Sequence, residues 1–262
     1  MHKPSWFRNN KILVISASTC GINKDGHEQY IVNPETGIRS QSDIDDALAE
    51  ACDLIKEGKF DRNDIDFHDA EDVLRKDIFV PKYFNESFNK DIKNIVAESE
   101  QLCLKTLGEL TENMLIKITG GHGSPSSDQR VGEIPYIKVS DLRAGSVNIN
   151  PTNMIPLALA KQYWKGNISG LMPYDLISPE RASKNIGEFC VLMPGQQNIV
   201  LTKEVIVFRA TTEAHFDQFY LIWALSLTAV RKQWERIVFM QTNREDVGKR
   251  MFEVLIPYPN TK

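Results

Sequence analysis

The stretch Ile116–Pro156 reads IKITGGHGSPSSDQRVGEIPYIKVSDLRAGSVNINPTNMIP. A short apolar run (Ile116, Ile118) leads into a loop of Gly, Ser and Pro, and a second run follows at Ile134-Pro135-Tyr136-Ile137-Lys138-Val139. Next come Ser140-Asp141-Leu142 and an Arg143-Ala144-Gly145 turn. Val147 and Ile149 then alternate with polar residues, the two-residue period of one more strand. Small loop residues thus precede a strand carrying Lys138, Ser140, Asp141 and Arg143. Such a surface suits a polymer with phosphates and polar base edges better than an apolar small molecule.

Outward from that stretch, 262 residues are enough for a full hydrophobic core and for two lobes. With 42% apolar and 25% charged residues and no low-complexity tract, a folded soluble protein is expected. No apolar segment reaches membrane-spanning length, and Met1-His2-Lys3-Pro4-Ser5-Trp6 lacks the apolar core of a signal peptide. Cys20, Cys52, Cys103 and Cys190 lie far apart without a CxxC pair, which reads as reduced thiols in a cytoplasmic protein rather than zinc or a disulfide framework. The net charge of −4 hides an asymmetry: Asp43 to Asp72 holds 12 acidic residues against Lys56, Lys59 and Arg62, so the rest of the chain carries +5. An acidic lobe beside a mildly basic one is compatible with DNA binding through one face.

The expected fold class is α+β: a small α/β N-terminal lobe (1–84), a linking helix (85–115) and a mixed-sheet C-terminal lobe (116–262) ending in a long helix. In the first lobe, Ile12 to Ala17 reads as a buried strand and Glu28 to Val32 as a second. Ser42-Asp43 offers an N-cap to a helix striped by Ile44, Leu48, Ala51, Leu54 and Ile55 and ended by Gly58. Phe60 to Phe67 reads as a connecting segment, Asp69 to Arg75 as a helix, and Ile78 to Pro81 as an extended exit. Asp61, Asp64, Asp66 and Asp69 offer oxygen ligands but lack EF-hand spacing, so a solvated acidic face is the default and no metal is expected. Ile92, Ile95, Val96, Leu102, Leu107 and Leu110 give the linking helix its apolar spacing.

In the C-terminal lobe, Leu157 to Trp164 reads as a short helix ending at a Lys165-Gly166-Asn167 turn, and Asp175 to Ile186 as a helix start or polar loop. Phe189 to Leu192 is a strand, and Ile199 to Leu201 with Val205 to Arg209 an antiparallel pair. His215 to Phe239 is a long apolar helix, core first and protein interface second, and Thr242 to Asp246 is the N-cap and acidic first turn of a short one.

Catalytic motifs are missing: no GxSxG elbow, P-loop or HExxH occurs, and the five histidines are scattered. Gly120-Gly121-His122-Gly123 after a strand resembles a phosphate cradle, but no Lys-Ser/Thr pair or GxGxxG follows. A flexible loop close to DNA is the favoured reading there, with an ordinary surface loop as the other.

Two regions together resemble one known system. Residues 116–259 resemble the target-recognition domain of type I restriction-modification specificity subunits. The likeness lies in the Gly/Ser loop, Gly132-Glu133-Ile134-Pro135-Tyr136-Ile137-Lys138-Val139-Ser140-Asp141-Leu142 with Gly145, the helix ending near Arg236, and Ile256-Pro257-Tyr258-Pro259. Residues 11–83 look like the tail of an adenine-N6 DNA methylase, through Ile12 to Ala17, Cys20-Gly21-Ile22-Asn23-Lys24-Asp25-Gly26 and Arg75-Lys76-Asp77-Ile78-Phe79-Val80-Pro81-Lys82-Tyr83. The chain departs from such methylases: Asn33-Pro34 and Asn150-Pro151 continue with Glu35 and Thr152, so no Asn/Asp-Pro-Pro-aromatic motif is present, nor the Gly-rich turn that holds S-adenosylmethionine.

The resemblance therefore implies a recognition part, without catalysis or cofactor of its own, that binds double-stranded DNA and positions a DNA methyltransferase subunit or domain. A single recognition domain further implies self-association or a larger parent chain. On this reading Lys138, Arg143, Lys161 and Lys165 contact phosphates. Ser126, Ser127, Gln129, Arg130 and Asn148 read base edges, with Ser140 beside them, and Asp141 caps its turn. A Mg2+-dependent nuclease built on acidic residues such as Asp61 and Asp64, and a protein adaptor without DNA affinity, stay open beside it.

Overall fold

In the strand Lys11–Ile15 (β1), Ile12 to Ile15 are apolar on both faces but only half-buried, with Leu13 and Ile15 packed against a small core. A computed structural model describes residues 4, 7–180, 186–239 and 247–260. The chain divides into two units, Met1–Ser87 and Phe88–Lys262. In the first, Tyr30–Val32 (β2) pairs antiparallel with Arg39–Ile44 (β3), and Ala47–Lys56 (α1) follows. Ile65–Asp69 (β4) then pairs antiparallel with β1 and runs straight into Ala70–Lys76 (α2). Ala51 and Ile55 of α1 pack on Ile65, Leu13, Ile15 and Phe60 to form a small core.

Two expectations for this unit are corrected. The helix starts four residues late because Ser42 and Asp43 lie in β3; Asp46 is the cap, its carboxylate accepting the Ala49 N–H at 2.8 Å. Ile44 and Leu48 are consequently 44% and 39% exposed rather than part of the buried stripe. The segment Phe60 to Phe67 is no mere connector, since it leads into β4, a strand whose Asp and His residues masked its pairing with β1.

The second unit opens with Ser87–Ala97 (α3), Leu102–Thr106 (β5) and Leu107–Glu112 (α4), in place of one linking helix. Thr106 and Glu109 form a reciprocal cap: Thr106 Oγ1 accepts the Glu109 N–H at 3.0 Å, and the Glu109 carboxylate accepts the Thr106 N–H at 2.7 Å. That cap starts a new helix where the apolar spacing alone reads as continuation.

Ile116–Gly120 (β6), Ile134–Ile137 (β7), Leu142–Arg143 (β8), Ser146–Val147 (β9) and Met154–Ile155 (β10) follow, then Leu157–Trp164 (α5). Beyond lie Leu176–Pro179 (β11), Cys190–Val191 (β12), Val200–Leu201 (β13) and Val205–Ala210 (β14). Six strands form a mixed sheet in the order β6-β14-β11-β12-β9-β8, antiparallel except at β12–β9. Three more form β10-β7-β13, with β7 and β13 parallel.

The expected pairing of 199–201 with 205–209 is not made: β13 pairs with β7, and β14 lies between β11 and β6. Val200 and Leu201 point into two different apolar clusters, so β13 is held between cores and cannot fold back on β14. Within Asp175 to Ile186, expected as a helix start or polar loop, β11 is instead a fully buried strand. The rest of that expected segment, residues 181–185, lies outside the described residues.

The long apolar helix is three pieces, Gln218–Ser226 (α6), Thr228–Lys232 (α7) and Trp234–Ile237 (α8); extended backbone at Leu227 (φ −58°, ψ 130°) separates the first two. Leu255–Pro259 (β15) pairs antiparallel with β5. The cap expected at Thr242 to Asp246 lies outside the described residues. No described helix is long and apolar enough to cross a membrane.

Candidate nucleic-acid interface

β7 anchors everything around it. Ile134 and Tyr136 pack with Ile155, Ala160, Trp164 and Val200, while Ile137 packs with Leu142, Val147, Ile177 and Leu201. The strand is thus buried on both faces, and the loops before and after it hold the candidate side chains. Gly132 lies so close to the chain that a Cβ there would be 2.2 Å from the Ile155 carbonyl carbon.

The Gly120–Gly123 segment is neither a flexible loop nor a phosphate cradle. Its donors are used internally: Gly121 N–H bonds the Val205 carbonyl at 2.9 Å, and the His122 and Gly123 N–H groups both bond the Leu201 carbonyl at 3.0 and 3.1 Å. A cradle needs N–H groups free for the anion. His122 completes the anchor, its Nδ1 accepting the Leu201 N–H at 2.9 Å and its Nε2–H donating to the Ser169 carbonyl at 2.9 Å. Those partners assign a neutral ring, and burial lowers its pKa below the ordinary value.

The ten expected DNA-binding residues are distributed unequally. Ser126, Ser127 and Gln129 are exposed around a 3-10 turn, Ser127–Gln129, where Gln129 Oε1 accepts the Ser126 N–H at 3.1 Å. Arg130 is turned inward: its Nη2 donates to the Pro125 carbonyl at 3.1 Å, its guanidinium is 5.2 Å from the Tyr136 ring centre, and its Nε is buried. A guanidinium held this way braces the loop, although the side chain is only half-buried. Asp141 caps the turn Val139–Asp141, accepting the Lys138 N–H at 2.8 Å. Asn148 spends both its backbone N–H and its Nδ2 on the Asp141 carbonyl, at 2.9 and 3.2 Å. Lys138 is half-buried, while Ser140 and Arg143 are exposed. Lys161 and Lys165 are exposed on α5, and Lys165 ends that helix in left-handed backbone (φ 55°).

These residues do not make one surface. Arg143 lies on β8 at one edge of the six-stranded sheet, whereas Lys165 lines a cleft against β6 and β14 at the other. Five strand spacings separate the edges, about 24 Å. The cleft has a volume of about 470 Å3, and its lining includes Lys117, Thr119, His122, Tyr163, Lys165 and Arg209. Lys117, Thr119 and Arg209 were not expected at a site. The alternation Ile116-Lys117-Ile118-Thr119 marks Lys117 and Thr119 as solvent-facing, but only strand pairing brings Arg209 beside them.

Both units form ion pairs, the second at Arg209–Asp175, Lys232–Asp91 and Arg236–Glu253. In the first unit Lys11 pairs with Asp69, Lys56 with Asp53, Lys59 with Glu57, Arg62 with Asp64 and Arg75 with Asp72. Among the described residues, none of Lys117, Lys138, Arg143, Lys161 and Lys165 has an ion-pair partner. The Asp64 carboxylate meets Arg62 Nε at 2.7 Å, and no group of three or more His, Cys, Asp or Glu among the described residues is arranged to hold a metal ion.

The fold and site define a mixed α and β protein with two units, the second presenting cations that its own carboxylates leave unbalanced. No family model matches the sequence, and no curated protein matches it. Among solved structures it is similar to the S subunit of a type I restriction-modification system from M. genitalium (14% identity, 73% of this chain and 48% of that one, TM-score 0.38). It is also similar to the HsdS subunit from Thermoanaerobacter tengcongensis (16%, 86% and 53%, 0.36) and to the type IIG restriction endonuclease BpuSI (11%, 75% and 28%, 0.46). The chain spans about half the length of the two subunit structures.

Proposed function

We propose that the chain is the sequence-recognition part of a restriction-modification system, acting in the cytoplasm. Residues 116–262 hold double-stranded DNA and read a short sequence, and the chain positions an adenine-N6 DNA methyltransferase on it. The observation that carries this reading is that, among the described residues, Lys117, Lys138, Arg143, Lys161 and Lys165 all lack carboxylate partners, within a unit of net positive charge. Unpaired cations gathered on one unit draw a polyanion, and the Ser and Gln side chains exposed at 126–129 supply neutral donors and acceptors for base edges. The resemblance of 116–259 to a target-recognition domain supports the same reading. The methylase-like features of 11–83 support a modification subunit or domain as partner, and a single recognition domain supports self-association.

The test is titration of duplex DNA with the purified chain at rising salt. Binding is expected at low salt, with log affinity falling on log salt by about 0.9 for each phosphate contacted. An absent complex at low salt removes the DNA reading and leaves the adaptor. Adenine methylation by the partner enzyme, with and without this chain, then tests positioning.

A further inference from the structure

The cleft at the β6 edge carries charge that the protein leaves unbalanced. Lys117 and Arg209 are direct cross-strand partners in the β6–β14 pair. Like charges opposed in this way repel, so the arrangement costs stability unless something offsets it. Arg209 is offset from within: its Nε and Nη2 bond the two oxygens of Asp175 at 2.6 and 2.5 Å, and that carboxylate is 1% exposed. Lys117 has no such partner among the described residues, and neither has Lys165 on the α5 side. Among the described residues no Asp or Glu lines the cleft, and His122 is held neutral by bonds to both ring nitrogens. Two positive charges are therefore left facing a cleft of about 470 Å3, within the range of about 300–1,000 Å3 usual for ligand sites. Thr119, two residues along β6 from Lys117 and so on the same face, adds a hydroxyl donor.

We propose that this cleft is a phosphate site, filled by a phosphodiester of bound DNA, with Lys117 and Lys165 as its charged contacts and Thr119 as a neutral one. The proposal rests on the DNA reading above for the source of the phosphate; a free nucleotide presents the same chemistry. It adds Lys117 and Thr119 to the DNA-contacting residues and puts a contact at the edge of the sheet opposite Arg143.

Lys117→Gln and Lys165→Gln remove charge while keeping a flexible polar side chain, and neither parent side chain has a hydrogen-bond or ion-pair partner among the described residues, so melting temperatures are expected at or slightly above the wild-type value. Each variant is expected to weaken duplex binding by a similar factor for every sequence and to reduce the salt slope by about 1. If the wild type binds duplex and both variants keep its affinity and slope, the cleft proposal falls and the DNA reading survives. If the wild type binds no duplex, the DNA reading falls, and calorimetric titration with adenosine monophosphate decides the cleft. Heat abolished by Lys117→Gln supports a site for free nucleotide, and no heat from the wild type overturns it.

Discussion

His122 is the residue whose chemistry is best defined by its surroundings. Its neutral form is required by the Leu201 N–H on Nδ1, and burial lowers its pKa from the ordinary 6.5. The unfolded chain takes up a proton at that ordinary value while the folded chain resists, so stability is full above about pH 6.5 and is lost as pH falls through the depressed folded value. Denaturant titrations in mildly acidic and neutral buffer are expected to show this loss, and His122→Gln to reduce it. Beside it, Gly121 cannot accept a side chain: a Cβ would lie 1.8 Å from the Thr202 carbonyl oxygen. Gly121→Ala is expected to cost about 1–3 kcal/mol or more by overpacking against backbone, read as a lower midpoint in urea. Asp175→Asn leaves the Arg209 guanidinium without its carboxylate, and about 3 kcal/mol is expected from breaking a pair with one buried member. A variant as stable as wild type in a thermal melt would refute that role for the pair.

Among the elements, β7 matters most because its two faces serve two cores. Ile137 is fully buried, so Ile137→Ala is expected to cost about 2–5 kcal/mol. The loss should be accompanied by loosened protection of the amides in β13, its parallel neighbour, in hydrogen exchange. The element-level reading from sequence did well where a period was local. β6, α5 and the strand at Ile134 follow from alternation or helical spacing within a few residues. It failed where a local signal had a distant competitor. The Ser42-Asp43 cap was taken up by pairing with β2, the polar run before Ile186 contains the buried β11, and the helix from His215 is interrupted at Leu227. Nothing within a few residues of Leu227 announces its extended backbone, since Leu is a good helix former.

For the molecule as a whole, charge is divided between the units: −6 over 1–87 and +2 over 88–262. The second unit has its own two apolar clusters and its own sheets, so a fragment of residues 88–262 is expected to unfold cooperatively and to bind duplex with the salt slope of the intact chain. A fragment that folds but has lost the slope would shift DNA contacts into the first unit. The distribution of the candidate residues bears on the same experiment. Patches about 24 Å apart do not contact the same phosphate, so Arg143→Gln and Lys165→Gln are expected to lower affinity additively rather than redundantly.

Composition and local pattern were enough to determine a mixed α and β chain, its acidic N-terminal part, and the strands flanking the Gly/Ser loop, because charge and the two-residue period are written into neighbouring positions. Tertiary pairing alone decided which cations share a cleft, which arginine meets Pro125 and Tyr136, and that Gly121, His122 and Gly123 spend their N–H groups inside the fold. Those outcomes depend on contacts between residues far apart in the chain, such as Lys117 with Arg209 and Gly121 with Val205, and no local pattern encodes the choice of partner.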